Sequence, residues 1–247
     1  PLIPALFQKL DLKAKSLLVT VWGDGVAPHG GTVWLGSLIN LVAALGLNER
    51  VVRTAVFRLQ KDGILSSEQM GRRSYYSLTQ SGRHRFAEAT HRIYASGDIP
   101  WNGNWLLLFV ARRLLTDTPF DAPDILVTKG WNLKSLEADY NRFIDHFSIF
   151  ATPETDAATF DEKKCFIIRS LLVHDYRRVL LRDPMLPAEL LPAGWNGNRA
   201  RALFQDIYRR VWEGAEQHLM TVLEDETGRL PPAPDEFYRR FGGLKKS

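Results

Sequence analysis

Side chains that can contact nucleic acid recur at helical spacing on one face of the segment between Asn48 and Gly63, namely Arg50, Arg53, Thr54 and Arg58. Aliphatic side chains occupy the opposite face, namely Val51, Val52, Ala55, Val56 and Leu59. Arginine and threonine are donors to phosphates and to base edges in the major groove. The pattern therefore favours a helix that binds DNA, and the alternative for an isolated amphipathic helix is a merely solvated cationic face.

The ends of this segment predict a helix with defined limits. Asn48 has a side-chain oxygen that can cap the first turn, and Glu49 lies where the helix dipole favours an acid. Gly63 can adopt the left-handed conformation that ends a helix. An apolar run from 33 to 45 predicts a preceding helix, and Gly46 and Leu47 form the turn between them. This order of elements is typical of a helix-turn-helix unit.

A basic hairpin is predicted directly after this helix. Residues 64–70 and 74–78 have the composition of two strands, and Gly71 begins the tip that joins them. Arg72 and Arg73 lie at that tip, where they suit phosphate or minor-groove contact. We expect Phe57, on the polar face of the helix, to pack against this hairpin rather than to touch a thymine methyl group. A helix capped by Thr79 or Ser81 should follow.

Charge and composition narrow the class of protein. Residues 1–95 hold 12 lysines and arginines against 6 acidic residues, whereas residues 96–247 hold 20 against 22. The excess of positive charge thus lies entirely with the predicted helix-turn-helix unit, as phosphate neutralisation requires. The single Cys165 excludes an intrachain disulfide and favours a reducing, cytoplasmic setting. No apolar run is long enough to span a membrane, and we expect the native start to precede Pro1.

The remaining chain predicts an α+β protein with three domains. Residues 1–95 form the winged-helix domain, residues 96–150 a central α/β region and residues 151–247 a helical domain. The central region has apolar strands at 106–110 and 125–128 but is too short for a complete α/β domain. Helices are predicted at 131–147, 162–181 and 198–223. Residues 23–31 are predicted to be a connector with His29 exposed, and the tail from Gly228 to be loosely ordered.

Several of these segments closely resemble one known family, the PaaX-like regulators of phenylacetic acid degradation operons. The segments are residues 30–39, 48–59, 71–76, 131–133, 174–178 and 182–192. The resemblance implies a winged helix, a central ferredoxin-like domain, here incomplete, and a helical carboxy-terminal domain. It also implies a homodimer that represses transcription from operator DNA and leaves that DNA when phenylacetyl-CoA binds.

The effector residues follow only from that resemblance and from residue type. A coenzyme A thioester needs cations beside aromatic side chains, and candidates are Trp131, His174, Tyr176, Arg177 and Arg178. Packing between helices is the more common reason for such residues, and the effector interpretation stands beside it. No cofactor, catalytic motif or metal site is predicted. The alternative is a metal-dependent nuclease or another nucleic-acid enzyme that uses the central domain. A metal site could draw on the pairs 145–146 and 174–175, but neighbouring helical residues point about 100° apart. A pure dimerisation or scaffold protein would not explain the basic hairpin.

Overall fold

The computed structural model describes residues 2–95, 132–152, 160–186 and 191–244. The predicted strands at 106–110 and 125–128, and Trp131, lie outside these residues. Within them the chain combines helices with a three-stranded sheet, so the predicted α+β class is confirmed.

The first described range contains five α-helices and three β-strands, besides two short turns of π and 3-10 helix: α1 (Leu2–Lys9), α2 (Ala14–Val21), β1 (Thr32–Trp34), α3 (Leu35–Ala43), α4 (Glu49–Lys61), β2 (Leu65–Met70), β3 (Arg73–Leu78) and α5 (Gln80–Ile93). The three strands are antiparallel in the order β1-β3-β2. The predicted helix at 33–45 begins later, at Leu35, because Val33 and Trp34 pair with Tyr76 and Tyr75 of β3.

Helix α4 has the limits that its end residues predict. The Asn48 side chain accepts a hydrogen bond of 3.0 Å from the Val51 amide. At the other end Gly63 has φ of +70°, and its amide bonds to the Gln60 carbonyl while the Ile64 amide bonds to the Leu59 carbonyl. These paired bonds form a Schellman motif, which ends the helix and turns the chain into β2.

Four further helices complete the described structure: α6 (Leu133–Phe147), α7 (Glu162–Leu180), α8 (Gly197–Val222) and α9 (Asp235–Tyr238). The long helices α7 and α8 pack against each other, and Tyr176 of α7 stacks on Phe204 of α8 with ring centroids 4.2 Å apart. Helix α7 also packs on α2, and α8 on α3. One continuous cluster of buried side chains therefore joins the amino-terminal and carboxy-terminal regions.

Two predictions about irregular segments are wrong. A π-helical turn (Trp22–Val26) overlaps the predicted connector at 23–31. His29, which was expected to be exposed, is buried, with only 2% of its surface accessible. Its ring nitrogens lie 2.7 Å from the Pro231 carbonyl oxygen and 2.9 Å from a Glu216 oxygen. The tail from Gly228 is also ordered up to residue 244, because Phe237 and Phe241 insert into the core.

A buried cluster of charges lies where these two segments meet α7. The carboxylate of Asp24 is 2.8 Å from Nη1 of Arg240 and 2.9 Å from Nε of Arg169. It also accepts hydrogen bonds from the hydroxyls of Tyr94 at 2.5 Å and Tyr208 at 3.0 Å. Asp24, Arg169 and Arg240 are each at most 5% exposed. Ionised groups withdrawn this far from water are tolerable only when they are mutually paired and hydrogen-bonded.

Glu216 extends the cluster. It accepts a bond of 2.6 Å from Arg169 and contacts His29 through its other oxygen. Burial by itself would raise the pKa of Glu216, but the charge of Arg169 and the bonds from His29 outweigh it and hold the pKa at about 2. The carboxylate therefore stays charged throughout the neutral range.

Loss of the central carboxylate should cost more than loss of a surface acid. Asp24→Ala leaves two buried guanidinium groups short of a counter-charge, and we expect the free energy of unfolding to fall by about 3 to 5 kcal/mol. The measurement is urea unfolding at pH 7. Asp206→Ala is the matched control, because it removes an exposed aspartate paired with Arg210 and should change stability by about 0.5 kcal/mol or less. Equal effects of the two variants would contradict the central role of the cluster.

Candidate nucleic-acid interface

The outer face of α4 carries the predicted polar side chains. The helix packs by four buried residues, namely Val52, Ala55, Val56 and Leu59. Arg50, Arg53, Thr54 and Arg58 are all exposed on the other face. Val51 was assigned to the aliphatic face, but it is 37% exposed and lies at the margin. The face therefore presents cationic and hydroxyl groups to solvent while the aliphatic stripe fixes its orientation.

The contacts of these side chains differ. Arg53 forms an ion pair of 2.8 Å with Glu49, one turn earlier, and both side chains are more than half exposed. Such a pair contributes little stability and leaves the guanidinium free to exchange partners. The Thr54 hydroxyl donates to the Arg50 carbonyl at 2.9 Å. Arg50 and Arg58 make no side-chain hydrogen bond or ion pair with any residue in the described ranges.

Phe57 departs from expectation. Its side chain is 64% exposed, so the predicted packing against the hairpin does not form. It lies on the same face as Arg50 and Thr54, and exposing a phenyl ring to water is unfavourable. The polar face of α4 thus includes one large apolar group.

The hairpin of β2 and β3 places its two arginines differently. Gly71, with φ of +63°, and Arg72 form the tip, whereas Arg73 already belongs to β3. The Arg73 guanidinium lies 4.1 Å from the Trp34 ring centroid and 2.7 Å from a Glu224 oxygen. Arg72 is exposed and makes no side-chain contact of this kind within the described structure. Arg72 therefore forms the cationic tip, whereas Arg73 is paired with Glu224, which follows α8 in the chain.

The residues assigned to the effector mostly lie between α7 and α2. Arg177 donates to the Ser16 carbonyl at 2.8 Å and to the Thr20 hydroxyl at 2.7 Å, and burial lowers its pKa to about 10. Tyr176 is buried against Phe204, and Arg178 lies 3.7 Å from an Asp11 oxygen. These contacts hold helices together, which is the packing interpretation that the sequence left open.

His174 belongs to the same contact and is buried. Its Nδ1 lies 3.1 Å from the Thr20 hydroxyl, while Nε2 is buried without a hydrogen-bond partner among the described residues. Burial and then the nearby charges of Arg177 and Arg178 lower the pKa of His174 to about 4. The imidazole is therefore neutral at physiological pH and joins the two helices as an uncharged group.

The two pairs considered for a metal come together only as one ion pair. Nδ1 of His146 on α6 lies 2.9 Å from Asp175 on α7. Among the described residues, no group of three or more histidine, cysteine, aspartate or glutamate side chains could hold a metal ion. No helix in the described ranges has the length and apolar character needed to cross a membrane.

The pKa of His174 predicts an acid-sensitive fold. Its folded pKa of about 4 lies below the ordinary value of 6.5, so the unfolded chain binds more protons between these limits. Stability from this group is complete above pH 6.5 and declines as pH falls. Between pH 6.5 and 4.5 the decline should be about 2 to 3 kcal/mol.

Urea unfolding at a series of pH values measures this decline. His174→Gln keeps a polar contact to Thr20 but cannot take up a proton, so its stability should vary less with pH over this range. His84→Gln, which alters a histidine with a side chain 77% exposed, is the control and should retain the wild-type profile. An unchanged pH profile in His174→Gln would contradict the assignment.

Comparison with known proteins shows which family the chain belongs to. A family model described as PaaX-like protein matches residues 13–82, which include α4 and the hairpin, and one described as PaaX-like protein C-terminal domain matches residues 131–221. The chain is also 33% identical to the Transcriptional repressor PaaX of Escherichia coli (strain K12) over 293 aligned positions, covering 95% of this chain and 92% of that protein. Those positions outnumber the 247 residues of this chain, so the alignment opens gaps in it. The chain therefore belongs to the PaaX-like protein family.

Proposed function

We propose that the protein is a DNA-binding transcriptional repressor of a phenylacetate catabolic operon and not an enzyme. The observation that carries the proposal is the outer face of α4, where exposed arginines surround Thr54 beside a hairpin with Arg72 at its tip. Support also comes from the similarity to a protein named as a transcriptional repressor. Residues 1–95 act as a winged-helix domain, in which α3 and α4 are the helix-turn-helix and the hairpin is the wing.

This geometry suits a defined mode of docking. Helix α4 enters the major groove, where Arg50, Arg53 and Thr54 contact base edges and Arg58 contacts phosphate. Phe57 is exposed on the same face, where it can cover a thymine methyl group. Arg72 reaches the adjacent backbone from the hairpin tip. Arg73 contributes only if the DNA displaces Glu224.

We propose that two copies of the chain bind one operator. A single α4 contacts too few base pairs to select one site in a genome, and two-fold symmetry doubles the number contacted. The helices after residue 151 are the proposed contact between copies, with residues 96–150 forming an abbreviated ferredoxin-like region. The gaps in the alignment support a shortened chain relative to the Escherichia coli protein.

We further propose that an aryl-acyl-CoA such as phenylacetyl-CoA releases the repressor from its operator. This proposal rests on family membership and on the need of a catabolic operon for a signal derived from its substrate. The ligand can act only if it binds the DNA-free form more tightly than the DNA-bound form. The alternative function, a metal-dependent nuclease, has no observation in its favour within the described residues.

The DNA interface predicts different effects for α4 and the hairpin. Arg53→Ala should weaken binding to the operator by about 1 to 3 kcal/mol and relax selection at one base pair, because it removes a base contact. Arg72→Ala should weaken binding to all sequences about equally and reduce the salt dependence by about one counterion, because it removes a phosphate contact. Fluorescence anisotropy measures the affinity of both variants for an operator fragment selected from the promoter region of the regulated operon.

Arg142→Ala supplies the control, since it removes an exposed arginine of α6 that lies outside both the proposed DNA interface and the proposed contact between copies. Light scattering of the complex should give two chains per operator. Wild-type affinity in both Arg53→Ala and Arg72→Ala, with folding intact, would refute the interface. A complex with one chain would refute the dimer.

Release by the effector predicts a reciprocal effect. Operator DNA should weaken binding of phenylacetyl-CoA by the same factor that the thioester weakens DNA binding, with a coupling of about 1 to 3 kcal/mol. Calorimetric titration with phenylacetyl-CoA, with and without operator, measures it. Free phenylacetate should bind far more weakly because it lacks the phosphates. Equal thioester affinity with and without DNA would show that the compound is no inducer.

A further inference from the structure

Two neighbouring cavities share lining residues in the π-helical turn and on or next to α5. The inner cavity, of about 270 Å³, lies between α5, α2 and α7. The outer cavity, of about 550 Å³, lies between α5 and the carboxy-terminal segment around α9. Gly23, Phe86, Thr90 and Tyr94 line both cavities. A side chain at position 23 would meet the Phe86 ring, since a Cβ there would lie 2.7 Å from it.

The inner cavity is mainly apolar. Val19, Ile64, Ala89 and Val173 line it, and Arg177 is among its polar residues. The donors of Arg177 are directed to Ser16 and Thr20, so they do not require a ligand. A cavity of this size and lining fits an aromatic ring or short acyl chain, for which burial of apolar surface supplies the binding energy.

The outer cavity is cationic. Arg83, His91 and Arg239 line it, with Glu236 as an opposing acid. Arg83 donates to the Gly30 carbonyl at 3.2 Å. The exposed side chains of His91 and Arg239 make no hydrogen bond or ion pair with other described residues. The uncommitted guanidinium of Arg239, with Arg83 lining the same cavity, suits a ligand that carries phosphates.

We propose that these two cavities together form the effector site, with the acyl group in the inner cavity and the anionic nucleotide portion in the outer one. The inference rests on the proposed release by an aryl-acyl thioester and gives that ligand a location. It moves the cationic part of the site from Arg177 and Arg178 to Arg239 and its neighbours. An anionic amphiphile is the occupant because one cavity is apolar and the other cationic.

The location also connects the ligand to the DNA-binding elements. Ile64, which lines the inner cavity, follows the Gly63 turn that ends α4. The Thr79 side chain, which caps α5, donates to the Gly63 carbonyl. A ligand that displaces α5 or Ile64 therefore acts on the turn that sets the direction of α4 and begins the hairpin.

Two substitutions separate the two halves of the site. Ala89→Phe fills the inner cavity, and Arg239→Glu reverses a charge in the outer one. Arg229→Glu makes the same charge change at an exposed arginine outside both cavities and is the matched control. Calorimetry of the full chain with phenylacetyl-CoA and with coenzyme A alone measures ligand binding, and anisotropy without ligand measures operator binding. Thermal melting of each variant verifies folding.

We expect Ala89→Phe to weaken the binding of phenylacetyl-CoA at least about tenfold, while the affinity for coenzyme A alone should not change. Arg239→Glu should weaken both ligands at least about tenfold, and Arg229→Glu neither. Operator affinity without ligand should change less than about threefold in all three variants. Wild-type thioester affinity in both cavity variants, or no thioester binding by the wild type, would overturn the site. If the wild type binds no operator, the repressor proposal is refuted instead, because operator binding is measured without ligand.

Discussion

The buried carboxylate of Asp24 is the constraint on which the described structure depends. Two arginines from distant segments, Arg169 of α7 and Arg240 near the carboxy-terminal end, both pair with it. A carboxylate and two guanidinium groups at this depth are stable only if all are in place, because any one alone would be a charge without water or partner. The amino-terminal region, α7 and the tail are thus required to assemble together, and Tyr94 adds the end of α5 to the same point.

This shared core gives the outer face of α4 a rigid support. Helix α2 packs on α4 from behind and on α7 from the other side, so the orientation of α4 is transmitted to the helical region through one intervening helix. Arg92 adds a second connection, since it donates to the carbonyls of Leu180 and Asp183 at the end of α7. Helix α5, which lines both cavities, is consequently fixed at its two ends and is the element through which a bound ligand would alter both regions.

Capping and turn residues predicted the limits of several helices from the sequence. The features that the sequence did not predict depend on contacts between residues far apart in the chain. Asn48, Gly63 and Thr79 act through bonds to residues within a few positions, so the limits of α4 and the start of α5 could be predicted from the sequence. The burial of His29 depends on Pro231 and Glu216, some 200 positions away, and no local pattern encodes it. The helical pattern places Phe57 on the outer face of α4 but does not encode its contact with the hairpin, and the ring is exposed. The side chains around the two cavities come from α2, α5 and the tail, so the sequence alone could not bring them together.

Because Arg73 is paired with Glu224, the number of arginines at the hairpin overstates the positive charge that is available there. Both side chains are partly exposed, at 46% and 37%, so dissolved ions screen their attraction. At low ionic strength Glu224 neutralises Arg73 and presents a carboxylate close to the hairpin, where DNA phosphates would be repelled. As salt rises, this internal pair weakens at the same time as the attraction between protein and DNA. The two effects oppose each other. If the hairpin and α4 contact DNA as proposed, operator affinity should fall less steeply with salt than the number of their arginines would imply.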